Sequence, residues 1–398
     1  MTSLLATLFD RLLDRIDAGL AEGSLTATLP GARTRRLGGR APGPDAVVDL
    51  VRWRALGRLV TGGSAGWYVA WSKGEWRSPD PTVLFELFMR NRRTLGGAGR
   101  AQGAMRLLRH WRNGLRRNSR TGSKRNIEFH YDLGNDFYRL WLDPSLTYSS
   151  ALFAEPVVTE EALEAAQARK NEAILDRLAL PPGARVLEIG CGWGGFAEAA
   201  ARRGLAVDAI TLSAEQERAV NARIATAGLT GVTVSLTDYR DVTGQYDGVA
   251  SIEMVEAVGQ EYWGTYLAAI SRALKPGARA AIQYIAIDDA IFEAYAANVD
   301  FIQRFVFPGG MLLSESRFRA LAEQNGLEWR DRHGFGLHYA ETLRRWRDRF
   351  DAAVVSGRLP KKFDQKFIDL WRYYLMYCEG GFRGGGIDVA QVTLVKGA

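Results

Sequence analysis

The stretch VLEIGCGWGG, residues 186–195, places four glycines and one glutamate within ten positions. Val186, Leu187 and Ile189 read as a buried strand that carries Glu188 near its end, and FAEAAARRG beyond it reads as a helix. Gly190, Cys191, Gly192, Gly194 and Gly195 fall in the turn between them. Glycines let a backbone turn sharply and come close to a ligand, and the free N–H groups of a helix start attract anionic groups. A dinucleotide site would add an acidic residue at the end of the next strand to hold a ribose. That strand ends ITLSAEQ, so Thr211, Leu212, Ser213 and Gln216 stand there instead. Glu256, in MVEAVG (254–259), is a carboxylate among Met254, Val255 and Val258, where burial is costly without a partner. The stretch NIEFHYDLGNDFYRLWLDPSLTYSSALF (126–153) crowds rings around His130 and ends near Tyr148, Ser149 and Ser150. It has no helical or alternating period, which predicts a lid rather than a core element. Ring faces attract cations.

From about residue 160 the chain supplies the frame that such residues need. A βα alternation there implies a parallel sheet covered by helices. Helix EEALEAAQARKNEAILDRLAL precedes the glycine-loop strand, and LAVDAITLS, VTVSLTDY, YDGVASIEM and ARAAIQYIAI read as further strands. KPG before the last of these reads as a stop. GLEWRDRHGF and DVAQVTLVK predict a closing antiparallel pair, with helices around 340–355 and 362–378 between them and a helical interlude near 288–307. Upstream, residues 1–105 predict a small mixed α/β domain, 106–125 a linker, and 126–398 the sheet-bearing domain.

Composition removes several classes. Cys191 and Cys378 are the only cysteines and lie far apart, which argues against a disulfide scaffold and fits a reducing compartment. His110, His130, His333 and His338 show no zinc spacing, so no metal is expected. In MTSLLATLFDRLLDRIDAGL, Asp10, Asp14 and Asp17 interrupt any signal-like run, and leucines recur at helical spacing. No run approaches the roughly 20 apolar residues that span a bilayer. A cytoplasmic protein, peripheral at the inner membrane face, is expected. Residues 1–125 hold 23 Lys and Arg against 9 Asp and Glu, a net +14, and the rest hold 29 against 36, a net −7. The basic front half calls for an anionic partner. Its densest part, RLLRHWRNGLRRNSRTGSKR (106–125), interleaves Leu107, Leu108, Trp111 and Leu115, the pattern of a basic helix on a lipid surface. No nucleic-acid motif accompanies it, so no nucleic acid is expected.

Glu188 and the glycines, with the strand that follows, resemble class I S-adenosylmethionine-dependent methyltransferases. That resemblance implies that Gly190–Gly195 cradle the methionine part, Thr211–Gln216 lie along the ribose, and Asp238, Tyr239 and Arg240 sit by the adenine. The chain as a whole is similar to the cyclopropane-fatty-acyl-phospholipid synthases and their mycolic-acid-modifying relatives. The carriers include FHYDLGNDFYRLWLD (129–143), TYSS (147–150), LEIGCGWGG (187–195), TLSAEQ (211–216) and DYRD (238–241). MVEAVG (254–259), FIQRFVFPGG (301–310), GFGLHYAETLRRW (334–346) and CEGGFRGGGID (378–388) continue the likeness. GGSAGWYVAWSKGEW (62–76) is a looser match to that family's accessory domain.

The resemblance implies a Rossmann-like sheet with helical lipid-binding insertions. The implied activity is methyl transfer from S-adenosylmethionine to a cis double bond of a phospholipid acyl chain in an anionic membrane, giving a cyclopropane. A homodimer is possible in that family. An alkene needs no base to become a nucleophile, but the cation left by methylation must lose a proton. In the family the base is a bound bicarbonate. Its contacts carry over as Glu256, Tyr339, the backbone at Ile285, and the residues at Ser150 and Gln283. Tyr148 and Ser149 would touch the cosubstrate. Cys378 matches a cysteine sometimes treated as catalytic, although this chemistry needs no nucleophile. Two positions depart from the family pattern: Ser150 replaces a cysteine, and Gln283 replaces a histidine. Glutamine can donate to an anion but cannot relay a proton, which opens a methyl- or methylene-branched product instead of a ring. Two other readings are a small-molecule methyltransferase, which would lack the N-terminal domain and basic linker, and a lipid-binding protein with an inactive catalytic domain.

Overall fold

The computed structural model describes residues 3–96, 133–155 and 159–398, with side chains from residue 9 onward. The basic stretch 106–125, His130 and Tyr131 lie outside the described residues. Two compact units form, and they cut across the linear order. One gathers Met1–Arg116, Asp288–Pro308 and Leu359–Ile387; the other gathers Arg117–Ile287, Gly309–Arg358 and Asp388–Ala398. The first division falls within the expected linker 106–125, but residues 288–308 and 359–387 join the N-terminal unit, which a linear division does not foresee. The reason is visible where helix Gln365–Arg383 meets helix Pro81–Arg90. A Cβ on Gly380 would lie 2.5 Å from the Cβ of Phe85, and one on Gly384 2.5 Å from that of Met89. These glycines admit the close backbone approach, a long-range contact that no local period announces.

In the first unit, strands β1 (Ser24–Leu29), β2 (Arg33–Gly38) and β3 (Asp45–Asp49) form a sheet in the order β2-β1-β3. β1 pairs antiparallel with β2 and parallel with β3. Helix Arg54–Ser72 breaks at Gly63, whose φ of 56° and ψ of −147° are open to glycine alone. Beyond that kink Tyr68 enters a ring cluster, with centroids 5.0 Å from both Phe301 and Tyr373. Asp300 caps helix Phe301–Phe305 and also accepts from Tyr377 Oη at 2.8 Å.

The second unit carries an 8-stranded sheet. Its strands are β4 (Arg185–Ile189), β5 (Ala206–Thr211), β6 (Val232–Leu236), β7 (Tyr246–Ile252), β8 (Leu274–Ile287), β9 (Leu313–Ser314), β10 (Leu327–Gly334) and β11 (Ile387–Lys396). They run in the order β10-β11-β8-β7-β4-β5-β6, with β9 beside β8. β4, β5, β6, β7 and β8 pair in parallel, and β10 with β11 antiparallel. The order turns around β4, which has β5 on one side and β7 on the other. Ligands of such sheets bind beyond the strand ends at that point. Val186, Val207, Ala209 and Ala250 from the strands are fully covered by Ile174, Ala197 and Val220 of three helices. Helix Trp263–Ala273 ends just before KPG, as expected, but the next strand begins ahead of these residues rather than after them. β8 starts at Leu274 and runs through Pro276 and Gly277, while its pairing with β7 jumps from Tyr246↔Leu274 to Gly248↔Arg279. A bulge absorbs the proline that a regular ladder would exclude.

Candidate active site

At the carboxyl ends of β4, β5 and β7 lies a cavity of about 200 Å³. Gly190, Gly192 and Gly194 all have positive φ, at 84°, 52° and 83°, so the loop curls back above β4. A Cβ on Gly190 would come within 2.7 Å of the Met254 side chain, and one on Gly194 within 2.8 Å of Val220. Of the residues expected around a cosubstrate, Tyr148, Ser149, Glu188, Gly190, Cys191, Gly192, Gly195, Thr211, Leu212, Gln216, Asp238, Tyr239 and Arg240 line this cavity. Gly194 packs behind it. Ser213 caps the next helix, its hydroxyl accepting from the Gln216 N–H at 3.3 Å. The Arg240 guanidinium grips Asp238 at 2.8 and 2.6 Å. Among the described residues, three buried polar atoms of the lining have no hydrogen-bond partner: Glu188 Oε2, Asn171 Oδ1 and Gln216 Nε2. Orphaned groups of this kind cost stability unless a ligand or water meets them. Burial pushes the Glu188 carboxyl up to about 8 against the pull of Lys170, and pushes the wholly buried Lys170 ammonium down to about 8.

Next to it is a knot of acids that the sequence only half announced. Glu253 follows β7 with a φ of 49°, a left-handed conformation that disfavours any side chain. Its Oε1 accepts from the Ser150 N–H at 2.8 Å and from Gln283 Nε2 at 2.7 Å, and its Oε2 accepts from Tyr339 Oη at 2.7 Å. Burial raises its pKa, opposed by those three donors and by Lys170. Glu256 accepts from the Ile285 N–H through Oε1, while its buried Oε2 has no hydrogen-bond partner among the described residues. Burial, then the neighbouring Glu253 charge, pushes Glu256 up to about 8, so it rests as the neutral acid. Ser150, Gln283 and Tyr339 are buried around them.

The profile of the family described as Mycolic acid cyclopropane synthetase matches residues 118–392. The chain belongs to this family. It is 38% identical over 367 residues to the tuberculostearic acid methyltransferase UfaA1 of Mycobacterium tuberculosis, covering 89% of this chain and 82% of that one. It is 37% identical over 270 residues to the cyclopropane-fatty-acyl-phospholipid synthase of Escherichia coli, covering 67% of each. The solved mycolic acid cyclopropane synthase CmaA1, complexed with SAH and CTAB, superposes with a TM-score of 0.64 at 30% identity, over 69% of this chain and 98% of that one. The fold is that of the class I methyltransferases, and S-adenosylmethionine is the cosubstrate. Among the described residues, no helix is long and apolar enough to cross a membrane, and no group of side chains could hold a metal ion.

Three features of the site differ from expectation. Tyr339, Gln283, Ser150, Ile285 and Glu256 do converge, but Glu253 stands at their centre and was not singled out. Its signal was positional: a second carboxylate three residues before Glu256, at the carboxyl end of the strand beside the glycine loop. Cys378 belongs to the other unit, where burial and then Asp300 push its thiol well up. A thiol that stays protonated is no nucleophile. The stretch expected to be a lid is, in its described part, core: Phe137, Tyr138 and Trp141 are fully buried, and Trp141 packs on Trp346 at 5.5 Å between centroids.

Two predictions arise here. Gly190→Ala should weaken SAH binding, measured by calorimetry, by about tenfold or more, since the new methyl is both at positive φ and in contact with Met254. The second concerns Glu256, whose folded pKa is raised above the ordinary value of 4.5 to about 8. Its contribution to stability is therefore full below the ordinary value and fades as pH rises through about 8. Glu256→Gln fixes the neutral form, so its melting temperature should fall less steeply than the parent's across that window.

Proposed function

We propose that this chain transfers the methyl group of S-adenosylmethionine to a cis double bond of an unsaturated phospholipid acyl chain, with Glu253 as the base that ends the reaction. The observation that carries this reading is the grip on Glu253 by Ser150 N–H, Gln283 and Tyr339. Those are the donors expected to hold bicarbonate, and the remaining one, the Ile285 N–H, is taken by Glu256. Among the described residues, all four donors of that set are engaged by Glu253 and Glu256, so no step of this proposal runs through bicarbonate. Held in the cavity, S-adenosylmethionine supplies an electrophilic methyl on a sulfonium, and Glu188 Oε2, Asn171 Oδ1 and Gln216 Nε2 offer it both acceptors and a donor. The alkene forms the new C–C bond with its π electrons and leaves a cation on the neighbouring carbon. The Glu253 carboxylate faces that positive charge and takes one proton from the chain.

Which product follows depends on where the charge rests. A hydride shift brings it to the carbon bearing the new methyl, and loss of a methyl proton then leaves a methylene branch. Loss of a methyl proton without that shift closes a cyclopropane. The branched product is our reading, supported by likeness to a tuberculostearic acid methyltransferase along 89% of the chain. A saturated methyl branch would need two further electrons from a separate reductant. The ring is the second reading, supported by the shared 37% identity with the synthase. Mass spectrometry of lipids from cells expressing the protein tests both: a gain of CH₂ with no loss of unsaturation marks the methylene chain. The same gain with the double bond consumed marks the ring, and no gain with either sinks the proposal. The substrate surface we propose is an anionic membrane, met by the basic front half as a peripheral protein on the cytoplasmic side, alone or as a homodimer.

A further inference from the structure

Behind the proposed base runs a line of side chains that no expectation included. Gln391 in β11 is fully buried, and its Nε2 donates to Gln283 Oε1 at 3.0 Å. Its own Oε1 accepts from Arg177 Nε at 3.2 Å. Arg177, on helix Leu163–Leu178, is anchored besides to the Asp331 carbonyl and the Thr393 hydroxyl. The line thus reads Arg177, Gln391, Gln283, Glu253.

Its direction is forced. A guanidinium can only donate and an ionised carboxylate can only accept. The second proton of each amide also meets an acceptor: Gln283 Nε2 faces the Ser150 carbonyl at 3.4 Å, and Gln391 Nε2 faces the Lys170 carbonyl at 3.4 Å. Turning the Gln283 amide over would set its oxygen against Glu253 Oε1, 2.7 Å away, with no proton between them. With Glu253 ionised, the Arg177 guanidinium, the Glu253 carboxylate and the Ser150 and Lys170 carbonyls together fix both amides, which removes the usual ambiguity of amide orientation. No member of the line between its ends can gain or lose a proton near neutral pH. The base is held by a donor that cannot take its proton.

We propose that Gln391 is a positioning residue for the reaction: polarised by Arg177, it locks the Gln283 amide so that its N–H bonds point at Glu253, keeping that carboxylate ionised and aimed. This rests on Glu253 being the base. Hydrogen bonds to the charged form favour it, and a chain of aligned hydrogen bonds strengthens each member. Among the described residues, Lys170 from helix Leu163–Leu178, Glu256 from the turn after β7, and Tyr339 from helix Gly336–Val355 are the titratable groups that act on Glu253. None of these side chains changes when residue 391 is substituted.

The test uses the full chain with Gln391→Glu and Gln391→Met. A glutamate at 391 can only accept, so Gln283 must turn its NH₂ toward it and present oxygen to Glu253. Methionine keeps the volume and simply drops the lock. The first measurement is an infrared pH titration of the cosubstrate-free protein, following the carboxyl C=O band that Glu253→Gln removes. The second is the pH profile of SAH release from S-adenosylmethionine with dioleoyl phosphatidylglycerol vesicles. Both variants should move the titration and the acid limb of kcat to higher pH, Gln391→Glu by about one pH unit, hence about tenfold less turnover on the acid side. The KM for S-adenosylmethionine should hold. Either an unmoved titration or a uniform drop in kcat with an unmoved limb overturns the proposal. Full turnover by Glu253→Gln would instead overturn the base on which it rests.

Discussion

Glu253→Gln should lower turnover by about 10³-fold while leaving SAH affinity within a factor of about two, because positioned proton transfer contributes roughly 10²–10⁴-fold. Glutamine nearly matches the shape of glutamate and still accepts from one donor, yet it cannot take a proton from a carbocation. The counterpart, Glu256→Gln, should stay within about tenfold of the parent. Glu256 already rests neutral, pushed up to about 8 by burial and by its neighbour, and an amide oxygen can still accept from the Ile285 N–H. The contrast between the two is the measurement: vesicles of unsaturated phospholipid, labelled S-adenosylmethionine, and counting of label in the lipid. Equal losses in both would place the base on neither residue alone. The pH profile carries the same sign. Glu253 must be ionised to act and its pKa is raised by burial, so activity should fall, as pH drops, at a value above the ordinary carboxylate range.

The frame of this site was legible because each part of it is local. β4 to helix Gly195–Arg202 is a strand, a glycine turn and a helix in unbroken sequence, and its glycines sit at positive φ where no other residue is comfortable. β10 and β11 were legible as a closing antiparallel pair, although two helices separate them in the chain. The units were not, because the packing of Gly380 against Phe85 joins residues nearly three hundred positions apart. The rings after Leu133 misled for a related reason. Phe137, Tyr138 and Trp141 have no common period because they are wrapped on several sides, by Trp193, Tyr148 and Trp346, rather than facing one layer. Gln283 illustrates a different limit. As an isolated departure it suggested a weakened anion site; beside Glu253 it is the apt partner. A histidine there could become a cation and hold the carboxylate's charge too firmly, whereas an amide donates without adding a proton site.

The backbone at 253 points to the last prediction. A non-glycine residue at a φ of 49° costs on the order of 1 kcal/mol, and such strain persists where the surroundings require it. Glu253→Gly therefore relieves backbone strain even as it removes the base. It also leaves the Ser150 N–H, Gln283 Nε2 and Tyr339 Oη aimed at a space the size of a carboxylate, three donors whose desolvation is no longer compensated. A small planar anion should fill that space. Glu253→Gly should be inactive in bicarbonate-free buffer and should regain about tenfold or more in turnover as bicarbonate is added. Formate should act in the same way, and a bulkier carboxylate such as benzoate should not. The parent protein, with its own carboxylate in place, should show no response to bicarbonate at all. A parent that needs bicarbonate would remove Glu253 from the role of base. A variant that folds, binds SAH and ignores every added anion would mean that the three donors do not form an anion site. Recovery by the small anions alone would mean that one set of donors can serve a base drawn from the chain or from solution.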